Sequence, residues 1–157
     1  MMNKPYVILL IGAPLSGKSY FIRENYPTIK VISRDSLVME VYGTDDYNLA
    51  FREVDQKEVD RLLDLRLKEV NSNKENAIVD MTNMVVSRRA KTLSYFSDDY
   101  YKKAIIFPIL ENEEYERRNN ERNVNENKWI PPFIITNMLN SYQEPTLDEG
   151  FDEIIKL

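Results

Sequence analysis

The sequence predicts an α/β domain: a parallel sheet of about five strands, helices on both faces and a helical lid. Three observations carry this. Apolar, branched runs of strand length recur from one end of the chain to the other. Helical stretches separate them, the pattern of βαβ crossovers. The chain has 157 residues, enough for one domain whose sheet is covered on both sides, and residues 1–157 are read as that single domain.

Tyr6-Val7-Ile8-Leu9-Leu10-Ile11 is a continuous apolar run suited to a strand buried on both faces. A glycine loop follows, then a helix from about Lys18 to Tyr26, stopped by Pro27. Ile29 to Ile32 is a second strand, after which Ser33 caps a helix that starts near Asp35 and ends before Gly43. Asp45 to Asn73 reads as a loop plus one long amphipathic helix, with Val59, Leu62, Leu63, Leu67 and Val70 on its apolar face. Asn76 to Asp80 is a third strand and Ser87 to Phe96 a helix. Lys103 to Pro108 is a fourth strand, and Glu111 to about Asn123 a highly charged helix. A loop around Lys128-Trp129-Ile130-Pro131-Pro132 leads to a helix reaching about Tyr142, and Phe151 to Lys156 forms the last strand. Between Arg117 and Trp129 only Val124 and Trp129 are apolar or aromatic, which marks residues 111–130 as the lid rather than core.

Composition narrows the chemistry. With no cysteine and no histidine, thiol nucleophiles, imidazole bases and Cys/His zinc sites are excluded. A general base must be a carboxylate or, failing that, a Lys or Tyr, and a metal must take oxygen ligands. A net charge of -5 argues against broad electrostatic adhesion to nucleic acid, though a narrow channel for a strand end is compatible with it. No apolar run is long enough to span a bilayer, and the chain is read as cytosolic with no membrane partner. The sequence leaves the oligomeric state open.

Gly12-Ala13-Pro14-Leu15-Ser16-Gly17-Lys18-Ser19 matches G-x-x-x-x-G-K-[ST] between a strand and a helix. Glycines let the backbone curl so that its N–H groups face phosphate oxygens, and the helix adds its positive end. Lys18 reaches the β- and γ-phosphates and Ser19 gives a hydroxyl to Mg²⁺. Gly12 to Ser19, with Tyr20 after them, form the expected nucleotide cradle for ATP and Mg²⁺.

Two acids lie where strands end, the ligand edge of a parallel sheet. Asp35 is the candidate base for phosphoryl transfer to an alcohol; it equally fits a first-turn acid favoured by the helix dipole. Asp80 is placed to orient the metal's water shell or the acceptor, or else to form a turn with its own backbone. Arg118 and Arg122 share a helix face from which cations can be brought onto a transferring phosphoryl group. Each also has a surface alternative, pairing with Glu114 and Glu126 at four-residue spacing. Arg88 and Arg89 face either an anionic acceptor or solvent. Trp129 either stacks on a base or anchors its loop to the core.

The ordered set comprises the glycine loop, Ile32-Ser33-Arg34-Asp35, Asp80-Met81-Thr82-Asn83 with Arg88-Arg89, and Arg118 to Asn123. With Pro131-Pro132 and Glu144-Pro145…Glu149-Gly150-Phe151-Asp152, it resembles the bacteriophage-type polynucleotide 5′-kinase family, a P-loop kinase family. The resemblance spans nearly the whole chain. It implies a P-loop kinase fold and ATP-dependent phosphorylation of a 5′-hydroxyl of DNA or RNA, with a nucleic-acid 5′ end as partner. It further implies that Asp35 is the general base, that Lys18 and Ser19 bind phosphates and metal, and that Arg122 stabilises the transferring phosphate. Arg118 is assigned to the nucleotide, and Arg34, Asp80, Thr82, Asn83, Arg88 and Arg89 to the acceptor. The chain departs from the family at Val38, where members commonly carry an arginine that grips an acceptor phosphate. Val38 and the acidic balance favour a rival, a kinase of the same fold acting on a nucleoside, sugar or antibiotic hydroxyl. A second rival is a nucleotide-binding switch without transfer chemistry.

Overall fold

The computed structural model describes residues 4–157. Five strands, β1 (Tyr6–Ile11), β2 (Lys30–Ser33), β3 (Ala77–Asp80), β4 (Tyr101–Ile106) and β5 (Glu153–Lys156), form one parallel sheet in the order β2-β3-β1-β4-β5. The chain order reverses at β1, so the crevice beyond its carboxyl end is the switch point at which such sheets bind ligands.

Strand β1 is central because it is apolar on both sides. Val7, Leu9 and Ile11 pack on one face with Leu67, Val70, Leu93 and Phe96. Ile8 and Leu10 pack on the other with Phe107, Phe21 and Ile22. The first group brings in α4 (Gln56–Ser72) and α5 (Val86–Leu93); the second brings in α1 (Lys18–Asn25). Each fully buried Leu or Ile contributes about 1.5–3 kcal/mol by leaving water, so these two layers carry the stability that holds the site above them.

The helix signals act as expected at α2 (Arg34–Tyr42). The Ser33 hydroxyl accepts from Ser36 N at 3.4 Å, and Gly43 ends the helix in the left-handed region at φ 77°. Where one loop and one helix are expected between Asp45 and Asn73, there are two helices. The first is α3 (Tyr47–Glu53), whose cap Asp46 accepts from Leu49 N at 3.0 Å. It packs Ala50 and Val54 against Leu37, Val38 and Val59 of α2 and α4. A short 3-10 turn at Leu147–Glu149 is also absent from the sequence reading.

The charged helix α6 (Asn112–Glu126) runs one turn past its expected end to a left-handed Asn127 at φ 53°. Its inner face is packed: Tyr115 joins Ala13, Met84, Ile130 and Ile135 of α7 (Pro132–Ser141). Asn119, buried, donates to Ile130 O at 2.6 Å and accepts from Ile130 N at 3.0 Å, so it serves both backbone groups of one residue in the following loop. No helix among the described residues is long and apolar enough to cross a membrane.

Candidate active site

The loop between β1 and α1 is shaped by its two glycines. A Cβ on Gly12 would stand 2.7 Å from Ser16 Oγ and 2.9 Å from Phe107 Cβ, closer than side chains tolerate. Gly17 has φ 99°, a conformation natural only to glycine, and Leu15 is left-handed as well at φ 69°. Among the described residues the backbone N–H groups of Ala13, Leu15, Ser16, Gly17, Lys18 and Ser19 have no acceptor. Gly12 N instead donates to Thr82 O at 3.0 Å, which ties the loop to the end of β3. Ser16 Oγ is buried with no partner. Lys18 Nζ folds back onto the carbonyls of Gly12 and Ala13 at 2.7 and 3.0 Å. A ring of unpaired donors around an ammonium fits a polyphosphate.

Lys18 is held below its ordinary range, at about 8, chiefly because the surrounding protein strips its solvation; Asp80 and Asp35 oppose the shift and Arg122 adds to it. Asp35 and Asp80 respond in the other direction. Both carboxyls are pushed above the usual range, first by desolvation. Water reaches Asp35 at the floor of the cleft, but the crowded walls still remove much of its hydration. Four cations pull against that shift at Asp35: Arg122, Lys18, Lys128 and Arg34. Among the described residues no group of three His, Cys, Asp or Glu is gathered to hold a metal. The oxygens available at the loop are those of Ser19, Asp35 and Asp80, a donor set that suits Mg²⁺ carried in on phosphates rather than a cage made by protein alone.

These groups share one open cleft of about 1820 Å³. A single small-molecule pocket is typically about 300–1,000 Å³, so the cleft has room for two substrates. Pro14, Leu15, Gly17, Lys18, Ser19 and Tyr20 line it from the loop side. Arg34, Asp35, Asp80, Thr82, Asn83, Arg88, Arg118 and Arg122 line the rest.

Several expected residues differ in what they do there. Arg89 is a correction: it is fully buried and does not line the cleft. Its Nε and Nη2 donate to Glu149 at 2.8 and 3.1 Å and its Nη1 to Asn83 O at 2.9 Å. The guanidinium is therefore spent on the fold, not on an acceptor. Asn83 is 2% exposed, left-handed at φ 50°, and donates its amide to Leu10 O at 2.8 Å, so its side chain braces β1. Arg34 reaches Gln56 and Asp60 of α4 at 2.7 and 3.0 Å. Arg118 pairs with Glu114 at 2.8 Å and also donates to Leu15 O at 2.9 Å, clasping the glycine loop. Arg122 does not pair with Glu126. It lies 5.2 Å from the centre of the Tyr47 ring. Arg88 is exposed at the cleft wall without a carboxylate in ion-pair range among the described residues. Trp129 is not a core anchor; it is 41% exposed and lines the cleft. Val38 is fully buried.

Sequence reading missed α3 as a wall of the site. Tyr47, Asn48 and Phe51 all line the cleft. Burial pushes the Tyr47 hydroxyl up to about 12, aided by the charge of Asp35. The signal was available in Asp46 as a cap, with Tyr47, Ala50 and Val54 recurring at helical spacing behind it.

A family model described as AAA domain matches residues 7–145. Among solved structures, the chain superimposes on one from the Pnkp1/Rnl/Hen1 RNA repair complex with a TM-score of 0.70 at 22% identity, over 90% of this chain and 45% of that one. This chain thus spans less than half the length of that relative. Kti12 of Chaetomium thermophilum, in complex with ADP-AlF3, gives a TM-score of 0.63 at 18% identity, covering 96% of this chain and 88% of Kti12. A gluconokinase from Sinorhizobium meliloti gives 0.55 at 15% identity, covering 99% and 83%. At these identities the likeness establishes the fold, that of P-loop kinases. A comparison with curated protein sequences finds no match.

Proposed function

The chain belongs to the AAA domain family, and from that premise we propose that it is an ATP-dependent kinase that phosphorylates a 5′-hydroxyl of DNA or RNA. The observation that carries this is the convergence of a phosphate cradle, a carboxylate and unpaired cations on one cleft floor. The loop amides and Lys18 hold the polyphosphate, the ammonium exchanging the carbonyls of Gly12 and Ala13 for phosphate oxygens. Mg²⁺, carried on the phosphates and touching Ser19, would neutralise charge on the leaving group. Asp35 accepts the proton of the acceptor hydroxyl as its oxygen bonds to the γ-phosphorus and the bond to the β-bridging oxygen breaks, releasing ADP. Desolvation makes Asp35 a better base than a free carboxylate. Arg122 lies beside it to meet charge on the transferring group. Asp80 and Arg88 line the acceptor side, and Arg118 steadies the loop that grips the donor.

The ordered sequence motifs and the likeness to a chain of an RNA repair complex support the nucleic-acid acceptor. The second reading, a small-molecule hydroxyl kinase of the same fold, is favoured by the buried Val38 and by the net charge of -5. One panel separates them: γ-labelled ATP and Mg²⁺ with 5′-hydroxyl DNA, 5′-hydroxyl RNA, nucleosides and sugars. Label on an oligonucleotide, abolished by Lys18→Ala, is the expected result. Label on nucleosides or sugars with none on any oligonucleotide would overturn the nucleic-acid reading.

A further inference from the structure

The arginines of helix α6 are held in two ways. Arg117 pairs with Glu114 and Glu121, and Arg118 pairs with Glu114. Arg122 has no carboxylate within 4.0 Å among the described residues, although Glu126 stands four residues on, at the spacing of a helical ion pair. Its guanidinium lies instead 5.2 Å from the centre of the Tyr47 ring on α3. The ammonium of Lys128 lies 5.3 Å from the centre of the same ring.

Asp35 feels this arginine without touching it. Desolvation raises the Asp35 carboxyl, and of the charges that oppose the rise Arg122 comes first. Yet the two form no ion pair. Holding a cation on a ring differs from holding it on a carboxylate. A carboxylate neutralises a guanidinium, whereas an aromatic face attracts it through its quadrupole and leaves the full charge in place. Tyr47 itself stays neutral, because burial, aided by the charge of Asp35, pushes its hydroxyl up to about 12.

The ring is fixed in position. Tyr47 is buried, and its ring meets that of Phe51, one turn along α3, at 4.5 Å. Asn48, the next residue, donates to Asn127 O at 3.3 Å and accepts from Trp129 N at 3.2 Å. These bonds fasten the segment after α6 to α3. Helix α3 thus holds both the guanidinium of Arg122 and the end of the helix from which it projects. Given the kinase reading above, on which the roles of Asp35 and Arg122 rest, we infer that Tyr47 is a positioning residue. Its ring holds Arg122 beside Asp35 but out of ion-pair contact. The carboxylate is left free to take a proton, and the arginine keeps its charge for the transferring phosphoryl group.

The test combines a structural and a kinetic readout on Tyr47→Leu, which removes the ring, and Tyr47→Phe, which keeps it. In ¹H–¹⁵N spectra the Arg122 Nε–H signal is identified by its absence from Arg122→Lys. Ring current should displace that signal in wild type and Tyr47→Phe, and Tyr47→Leu should return it to the position of a free arginine. Single-turnover transfer is then measured at saturating ATP, with the acceptor labelled in the panel above. Tyr47→Leu should slow transfer by about 10- to 100-fold, the scale of a misplaced catalytic group. Its ATP affinity should stay within about twofold of wild type, and Tyr47→Phe should recover the rate to within about threefold. In an Arg122→Ala background the same Tyr47→Leu change should cost less than about twofold, because the group it positions is gone. Equal slowing in both backgrounds, a Tyr47→Phe protein as slow as Tyr47→Leu, or an Nε–H signal unmoved by Tyr47→Leu would each overturn the inference. Absence of transfer by wild type to every acceptor would instead strike the kinase reading, with the Nε–H signal still deciding whether Tyr47 holds Arg122.

Discussion

In the proposed kinase reading Lys18 carries the charge on which nucleotide capture turns, and its surroundings set the pH at which that charge is lost. Its pKa of about 8 in the free protein follows mainly from desolvation. A bound polyphosphate places anions beside the ammonium and raises its pKa again. The two kinetic parameters should therefore separate. In steady-state assays with varied ATP, kcat/KM should fall as pH rises through about 8, because it reports the free enzyme. At saturating ATP, kcat should stay level across the same range. A kcat/KM that is flat to pH 9.5 would show that Lys18 keeps its proton unaided. At this scale the glycine loop was fully legible, since its chemistry is local and its spacing fixed. Asp35 was legible as an acid at a strand end. Its cationic surroundings were so only in part: Arg34 is its neighbour in sequence, whereas Lys128 approaches it through tertiary packing. The role of Arg89 was misread for the same reason: nothing in Arg88-Arg89 reveals that a glutamate 60 residues away meets the second and not the first.

The elements that flank the sheet decide how firmly the site is held. The Arg89–Glu149 pair joins α5 to the turn before β5, and through Asn83 it braces the loop that hydrogen-bonds Gly12. Removing one member of a buried pair strands the other's charge, which costs about 3–5 kcal/mol. Arg89→Met should lower the urea midpoint accordingly, and Arg89→Met with Glu149→Leu should recover much of the loss. Acceptor affinity, measured where both proteins remain folded, should be unchanged; a selective loss for anionic acceptors would restore Arg89 to the site. Strand positions were readable from their apolar runs and α2 from Ser33 and Gly43. Helix α3 was passed over because seven residues present too short an apolar repeat to outweigh the polar Thr44-Asp45-Asp46 before it. Its identity as a wall of the cleft depends on packing against α2 and α4, which no local pattern reports. The charged helix α6 was recognised as a helix, but Tyr115 and Asn119, the residues that pack it onto the rest of the molecule, were not.

On the scale of the whole molecule, a parallel sheet with its order reversing at β1 brings three separate chain segments to one edge. The loop after β1 offers donors, and the ends of β2 and β3 offer Asp35 and Asp80. α3 and α6 then close the sides with aromatic rings and cations. In the proposed reading donor binding and proton acceptance fall to different segments, so they should be separable by one substitution. Asp35→Asn keeps the shape of the carboxylate and removes its basicity. Equilibrium binding of Mg²⁺·ATP and single-turnover transfer to a 5′-hydroxyl oligonucleotide should be measured on wild type and Asp35→Asn side by side. The account predicts ATP affinity within about threefold of wild type and transfer slower by about 10²–10⁴-fold. Transfer by Asp35→Asn at the wild-type rate would contradict it.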